Sequence, residues 1–241
     1  MCTVIFVPTA KGNLFASCRD EDPLRQVPGP PACIKGFSGH MLYPVDKSGG
    51  TWAGMHELGH VIILLNGALN DHKRENSYRM SRGLVVQQLL DDTDPLYKWA
   101  AIDLENIQPF TLVLFFKNQL YEMRWDGTGK TTEIKDKAVP HIWSSSTLYN
   151  EEAKQMRRKW FENGISNVSS IDELYRFLYV HRQKENGFIM KRSAAMQTLS
   201  VSLLHHYNNA ACYVYYDVLQ MHRSNVSLKL KLQKQEYAAR S

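Results

Sequence analysis

The chain opens with MCTVIFVPTAKGNLFASCRDE, residues 1–21, and this stretch decides the fold. Thr3 to Pro8 is a β-branched and aromatic run, and Leu14 to Cys18 is a second one. Lys11-Gly12-Asn13 between them is a turn signal. Two strand-like runs joined by a short glycine-containing turn predict a β-hairpin. The chain is therefore expected to begin with a pair of antiparallel strands.

Further along, the same pattern repeats and alternates with helical spacing. Strands are predicted at Thr51–Met55 and Val61–Leu65 around a turn at Glu57–Gly59, at Phe110–Phe116 and Leu120–Trp125 around Lys117–Asn118, and at Met196–Leu204 and Ala211–Tyr216. Helices are predicted at Tyr78–Leu90 with Ser77 as N-cap, at Pro95–Ala101, and at Asn150–Phe161 and Ser170–Val180 with Asn150 and Ser170 as caps. Because hairpins dominate, we expect an α+β fold with mostly antiparallel sheets and helices on their outer faces.

Composition limits the classes of function. The 241 residues carry a formal charge of +5, with 44% hydrophobic and 22% charged residues, which is ordinary for a globular protein. The sequence has no basic stripe with interleaved aromatic residues, so nucleic-acid binding is not expected. No apolar run reaches the length of a membrane span. Four cysteines without a C-x-x-C pair are expected to be free thiols, so a cytoplasmic protein is predicted.

The chain shows no low-complexity linker and no internal repeat, so one domain over residues 1–222 is expected. Residues 223–241 are interpreted as a basic C-terminal extension. Within it, Ser227 to Leu232 alternates apolar and basic residues, which favours an edge strand with a cationic face.

Two motifs suggest chemistry that their contexts disfavour. His56-Glu57-Leu58-Gly59-His60 has the H-E-x-x-H spacing that binds zinc when it lies on a helix. Glycines before it and Val61-Ile62-Ile63 after it favour a hairpin turn, which leaves a zinc protease as a minor alternative. Gly127-Thr128-Gly129-Lys130-Thr131 resembles part of a phosphate-binding loop, but Arg124 stands where that loop needs its first glycine. Asp126-Gly127 indicates a hairpin turn instead.

Cys2 is the third chemical signal. If Met1 is removed, Cys2 becomes the first residue and carries both a thiol and an α-amine. The pKa of an α-amine is about 7.7–8.0, so the amine can act as general base for its own side chain. Nucleophile and base would then lie in one residue.

The setting of Cys2 resembles a known family. Met1-Cys2-Thr3-Val4, Cys18-Arg19-Asp20-Glu21, and Gly49-Gly50-Thr51-Trp52-Ala53-Gly54 are similar to the signatures of the NRDE family, also called the transport and Golgi organisation protein 2 family. Ser81-Arg82-Gly83, Pro109–Val113 and His141–Ser145 resemble its bacterial branch, particularly the Bacteroidetes members. The likeness runs from residue 1 to about Asp217. One departure is Cys18, which stands where the family's Asn-Arg-Asp-Glu tetrapeptide has its asparagine.

The resemblance implies an N-terminal nucleophile (Ntn) hydrolase fold, a four-layer αββα sandwich, and kinship with penicillin V acylases and bile salt hydrolases. It implies that Cys2 is the nucleophile, that Asp20 holds its amine and that Arg19 favours its thiolate. Asn66 would contribute to the oxyanion hole. Ser145 would stand where the acylases carry an asparagine donor, and Arg192 would take the place of their late arginine. Trp52, Trp143 and Phe188 are candidate walls of an apolar acyl pocket.

The predicted function is hydrolysis of carbon–nitrogen bonds in a small-molecule amide or acyl substrate, without metal or organic cofactor. The alternative is a non-catalytic trafficking protein, or one that handles lipid or haem, on the same fold. The sequence names neither the substrate nor the oligomeric state.

Overall fold

The computed structural model describes residues 2–24, 29–69, 75, 77–146, 149–207 and 209–231, with Cys2 described in its backbone only. Met1 and the last ten residues of the predicted extension lie outside this range. Two antiparallel sheets of seven strands each stack face to face in the described part. Among these residues, no helix is long and apolar enough to cross a membrane.

The first sheet begins with the hairpin that the opening stretch predicts. Its strands lie in the order β10-β1-β2-β12-β13-β14, with β11 paired to β12. They are β1 Cys2–Thr9, β2 Gly12–Glu21, β10 His141–Ser144, β11 Lys191–Ser193, β12 Met196–His206, β13 Ala210–Asp217 and β14 His222–Lys229. The edge strand β14 includes the first part of the predicted extension, and the division of the chain at residue 222 stays a prediction.

The second sheet follows chain order from one edge to the other. Its strands are β3 Ala32–Lys35, β4 His40–Tyr43, β5 Ala53–His56, β6 Val61–Asn66, β7 Phe110–Phe116, β8 Gln119–Trp125 and β9 Lys130–Lys135. Lys117 and Asn118 have φ of 46° and 59°, the left-handed pair that a two-residue hairpin turn requires.

In the described residues, four α-helices cover the outer faces. They are α1 Arg82–Leu90, α2 Pro95–Ala101, α3 Glu151–Gly164 and α4 Ile171–Val180. α1 packs on β5 and β6, α3 on β10, and α4 on β12. The predicted four-layer αββα, α+β architecture is confirmed, and so are the caps Asn150 and Ser170. The cap predicted at Ser77 is wrong, because α1 begins four residues later with Ser81 accepting from the Leu84 amide.

The glycine-rich motif before β5 has a structural role. Thr51 donates its amide to the Gly83 carbonyl at 3.1 Å, which brings the chain before β5 against the start of α1. A Cβ at Gly50 would lie 2.4 Å from the Gly83 carbonyl carbon. Only glycine permits this approach. The paired motifs therefore fix α1 on the second sheet.

Lys130, in the stretch that resembles a phosphate-binding loop, caps a helix. The segment forms the β8–β9 hairpin, as predicted, and the Asp126 carboxylate accepts from the amides of Thr128 and Gly129 at 2.8 Å each. The Lys130 ammonium donates to the carbonyls of Trp99 and Ala100 at 2.8 and 3.0 Å. A cation on the last carbonyls of α2 stabilises that helix end.

The H-E-x-x-H stretch forms the β5–β6 turn, which confirms the predicted hairpin. His56 and His60 are fully buried and stack with ring centroids 4.5 Å apart. His56 Nε2 lies 2.9 Å from the Ser38 hydroxyl, and His60 Nε2 donates to the Leu90 carbonyl at 2.9 Å. The described residues contain no cluster of three or more metal-ligating side chains. Both imidazoles are therefore used in packing.

Burial gives these histidines a measurable pH effect. Burial lowers the pKa of His60 to about 3, against an ordinary 6.5. Above pH 6.5 the contribution of the buried, neutral His60 to the unfolding free energy is fully present. As pH falls from about 6.5 toward 3 the unfolded state takes up a proton that the folded state refuses, and stability is lost.

We expect His60→Gln to make the unfolding free energy less dependent on pH between pH 6 and 4, by up to about 1.4 kcal/mol per pH unit. Urea denaturation at several pH values measures this. His222→Gln, at an exposed position, is the matched control. Equal slopes in wild type and His60→Gln would show that the buried imidazole does not control acid stability.

Candidate active site

Four strand ends meet at one end of the two sheets. Cys2 opens β1 and is the register partner of Arg19 near the end of β2. Thr3 pairs with Ser144 at the end of β10, so Ser145 leaves that strand beside the start of β1. Asn66 ends β6 in the facing sheet, which packs on β1. This end of the sandwich therefore brings together most of the predicted site residues.

Arg19 lies between the sheets as a buried cation. Its side chain is 8% exposed, and its guanidinium carbon lies 4.7 Å from the centre of the Trp52 ring. Arg19 Nη1 and Trp52 Nε1 are buried and have no hydrogen-bond partner among the described residues. No carboxylate of the described residues forms an ion pair with Arg19. A buried guanidinium without an ion-pair partner stabilises an anion that lies next to it.

Asp20 lies on the opposite face of β2, since side chains alternate along a strand. It is fully buried, and its two carboxylate oxygens accept from the hydroxyls of Tyr149 and Thr198, each at 2.6 Å. Burial raises the pKa of Asp20, while Arg157 and the two hydroxyls act in the opposite direction. Burial and the nearby Asp20 raise the pKa of Tyr149 well above its ordinary value, so Tyr149 remains a donor.

Arg157 supplies the positive charge near Asp20. It is fully buried on α3, and its guanidinium carbon lies 3.6 Å from the centre of the Tyr149 ring. Its Nε donates to the Asn186 carbonyl at 3.0 Å, and its other nitrogens donate to the Thr3 hydroxyl and the Gly187 carbonyl. Arg157 therefore ties the beginning of β1 to the helix layer.

Ser145 and Asn66 form a bridge between the sheets. The buried Ser145 hydroxyl donates to the Asn66 carbonyl at 2.7 Å. This hydroxyl proton is directed at Asn66, so Ser145 positions Asn66 in this arrangement. The Asn66 side-chain amide makes no hydrogen bond within the described residues. The Asn66 side-chain amide is therefore available to donate, whereas the Ser145 hydroxyl proton is engaged.

The turn after Asn66 is held by the neighbouring strand. Gly67 has φ of 78°, and its carbonyl accepts from the Thr111 hydroxyl at 2.9 Å. Its amide donates to the Pro109 carbonyl at 3.1 Å. The position of Asn66 is thus fixed by both sheets.

Arg192 lies on the Asp20 side of the first sheet. Its guanidinium donates to the Glu185 carbonyl at 3.1 Å and lies 5.5 Å from the centre of the Tyr149 ring. The predicted site residues are thus divided by the sheet. Arg19, Asn66 and Ser145 lie toward the second sheet, whereas Asp20 and Arg192 lie toward the helices.

The aromatic residues suggested as one pocket wall do not converge. Trp52 and Trp143 belong to the core around the second sheet, and Phe188 belongs to the core under α3 and α4. Trp143 donates instead to the Glu122 carboxylate at 2.8 Å. Sequence reasoning also missed Tyr149, Arg157 and Thr198, since nothing in their local sequence distinguishes them from ordinary core and cap residues.

The Tyr149 hydroxyl gives a testable contribution to stability. We expect Tyr149→Phe to lower the unfolding free energy by about 1–3 kcal/mol, because a buried carboxylate loses a donor. Chemical denaturation at pH 7 measures the change. The matched control is Tyr179→Phe on α4, where the side chain is 45% exposed and little change is expected. Equal losses in the two variants would show that the Asp20 contact contributes nothing.

Comparison with solved structures finds this fold in a hydrolase, an acylase and an amidase ortholog at very low identity. The C2A mutant of conjugated bile acid hydrolase from Clostridium perfringens has a TM-score of 0.60 and 10% identity, covering 97% of this chain and 98% of its own. Penicillin V acylase from Agrobacterium tumefaciens has a TM-score of 0.58 and 9% identity, covering 95% and 86%. The Caenorhabditis elegans ortholog of N-acylethanolamine-hydrolyzing acid amidase has a TM-score of 0.57 and 9% identity, covering 85% and 92%.

A search of curated proteins finds no match. The family described as Transport and Golgi organisation 2 matches residues 1–241, the full length of the sequence. The resemblance seen in the motifs is therefore confirmed, and the fold is that of the Ntn hydrolases. The chain belongs to the Transport and Golgi organisation 2 family.

Proposed function

We propose that this protein is an N-terminal-cysteine amidohydrolase that cleaves the carbon–nitrogen bond of a small-molecule amide through an acyl-enzyme. The observation that carries the proposal is the pairing of Cys2 with Arg19, with Asp20 one residue further along β2. Because β1 and β2 are antiparallel, Asp20 lies where the chain enters β1. The similarity to a conjugated bile acid hydrolase and a penicillin V acylase supports the same reaction class.

Arg19 would act on the thiol of Cys2, and Asp20 would act on its α-amine. Register partners in an antiparallel pair share a sheet face, so position 2 belongs to the face of Arg19. The Arg19 cation favours the thiolate over the thiol. Asp20, on the other face, would hold the α-amine that removes the thiol proton. Tyr149 and Thr198 fix the orientation of the Asp20 carboxylate for this role.

The reaction runs in two stages. The α-amine takes the thiol proton, the sulfur attacks the carbonyl carbon, and the Asn66 amide donates to the oxyanion that forms. The carbon–nitrogen bond then breaks, and the leaving amine takes the proton back from the α-ammonium. Water, deprotonated by the α-amine, attacks the thioester; the carbon–sulfur bond then breaks, the Cys2 sulfur takes the proton back from the α-ammonium, and the acid is released. No step uses a metal ion or an organic cofactor.

We propose that the reaction takes place in the cytoplasm. Cys18, Cys33 and Cys212 are free thiols in the structure, and free thiols are typical of a reducing compartment.

The decisive experiment compares Cys2→Ala with wild type across a panel of acyl amides. Alanine at position 2 keeps a small residue after Met1, so removal of the initiator is retained. We expect wild type to release amine and Cys2→Ala to fall to the uncatalysed rate. Cys33→Ala, at an exposed cysteine on β3, is the matched control and should retain full turnover.

A wild-type protein with Met1 removed that cleaves no amide in the panel would contradict the proposal. That result would favour the alternative function, a binding protein on the same fold. Equal turnover in wild type and Cys2→Ala would assign the chemistry to another residue.

The oxyanion role of Asn66 makes a separate prediction. We expect Asn66→Ala to lower kcat by about 100–1,000-fold with little change in KM, because the lost hydrogen bond forms mainly in the transition state. Steady-state kinetics on any amide that the wild type cleaves measure this. Asn225→Ala on the exposed face of β14 is the control. A change confined to KM would show that Asn66 binds the ground state only.

A further inference from the structure

A depression of about 910 Å³ lies beside β11. It is formed by the segment after α4, by β11 and the start of β12, and by the turn after β13. Its lining residues are Arg182, Gln183, Lys184, Ile189, Met190, Lys191, Arg192, Ser193, Ala194, Gln197, Thr198, Val218 and Leu219. The volume is that of a site for a small molecule.

The charge of this depression is one-sided. Four lining side chains are cations and none is a carboxylate. Of these, Arg182, Lys184 and Lys191 form no ion pair with any carboxylate in the part of the chain that the structure describes. Like charges around one concave surface repel each other and focus a positive potential into it. An anion entering the depression relieves that repulsion.

Large apolar side chains form another part of the surface. Ile189, Met190, Val218 and Leu219 line the depression, and Leu219 is 42% exposed. An inorganic anion alone would leave this surface in contact with water. A ligand with an apolar part would cover it and gain free energy in proportion to the area buried.

We propose that this depression binds a small molecule that carries a phosphate or carboxylate group on an apolar body. Lys184 and Lys191, which are exposed, attract the anionic group. Ile189, Met190, Val218 and Leu219 contact the apolar body. Arg182 adds a planar guanidinium, which lies 4.0 Å from the Tyr179 ring centre and is thereby held in place.

The depression adjoins the Asp20 cluster. Thr198 lines it and donates to the Asp20 carboxylate at 2.6 Å. Met190 lines it with its sulfur 3.9 Å from the Tyr149 hydroxyl oxygen. A bound ligand therefore lies one side chain away from Asp20. The binding proposal itself does not depend on amide hydrolysis.

Calorimetric titration of the full-length protein tests the proposal. The probes are decyl phosphate below its micellar concentration, inorganic phosphate, and decyl maltoside as the uncharged amphiphile. We expect decyl phosphate to bind wild type at least about tenfold more tightly than either of the other probes. Lys184→Glu/Lys191→Glu should weaken decyl phosphate binding by at least about tenfold.

The matched control is Lys47→Glu/Lys159→Glu, which changes two exposed lysines away from the depression and lowers the net charge by the same amount. It should bind decyl phosphate like wild type. An equal loss in both double variants would reduce the effect to overall charge and overturn the proposal. Absence of binding, or equal affinity for decyl maltoside or inorganic phosphate, would overturn it as well. Because no outcome involves turnover, failure here is separate from failure of the hydrolase proposal.

Discussion

The end of the sandwich where the strands meet is built around one fully buried carboxylate, that of Asp20. A fully buried carboxylate is costly unless donors and a cation surround it. Here Tyr149 and Thr198 supply the donors, and Arg157 supplies the positive charge from α3. Arg157 also binds the Thr3 hydroxyl, one residue beyond Cys2. The same interactions that stabilise Asp20 therefore hold the beginning of the chain against the end of β2.

The alternation of side chains along β2 separates two tasks. Arg19 turns toward the second sheet, where it stacks on Trp52, and Asp20 turns toward the helices. In the proposed reaction, one face of the sheet favours the thiolate and the other holds the amine. The hydrogen bond from Ser145 to Asn66 connects the two sheets at this end. The opening hairpin, which decides the fold, is thus also the element that organises the proposed chemistry.

Much of the fold could be predicted because its signals are local. Turn residues such as Lys117-Asn118 and caps such as Asn150 and Ser170 act within a few residues of the elements they define. The start of α1 is harder to predict, since Ser77 and Ser81 are both acceptable cap residues by type and the structure uses the later one, which lies next to the contact of Gly83 with Thr51. Tyr149 and Arg157 could not be found, because their roles come from contacts with Asp20 and Thr3, more than a hundred residues away. Phe188, suggested as a pocket wall beside Trp52 and Trp143, instead packs in the core under α3 and α4.

The proposed chemistry requires a free amine and a reactive thiol together at position 2, between Asp20 and Arg19. The most direct measurement combines the intact mass of the mature protein with brief iodoacetamide labelling at pH 6 and peptide mapping. The proposed mechanism predicts a chain that begins at Cys2 and labels there faster than at the exposed Cys33, because a neighbouring cation such as Arg19 favours the reactive thiolate of a cysteine. A chain that retains Met1, or a Cys2 that reacts no faster than Cys33, would contradict it.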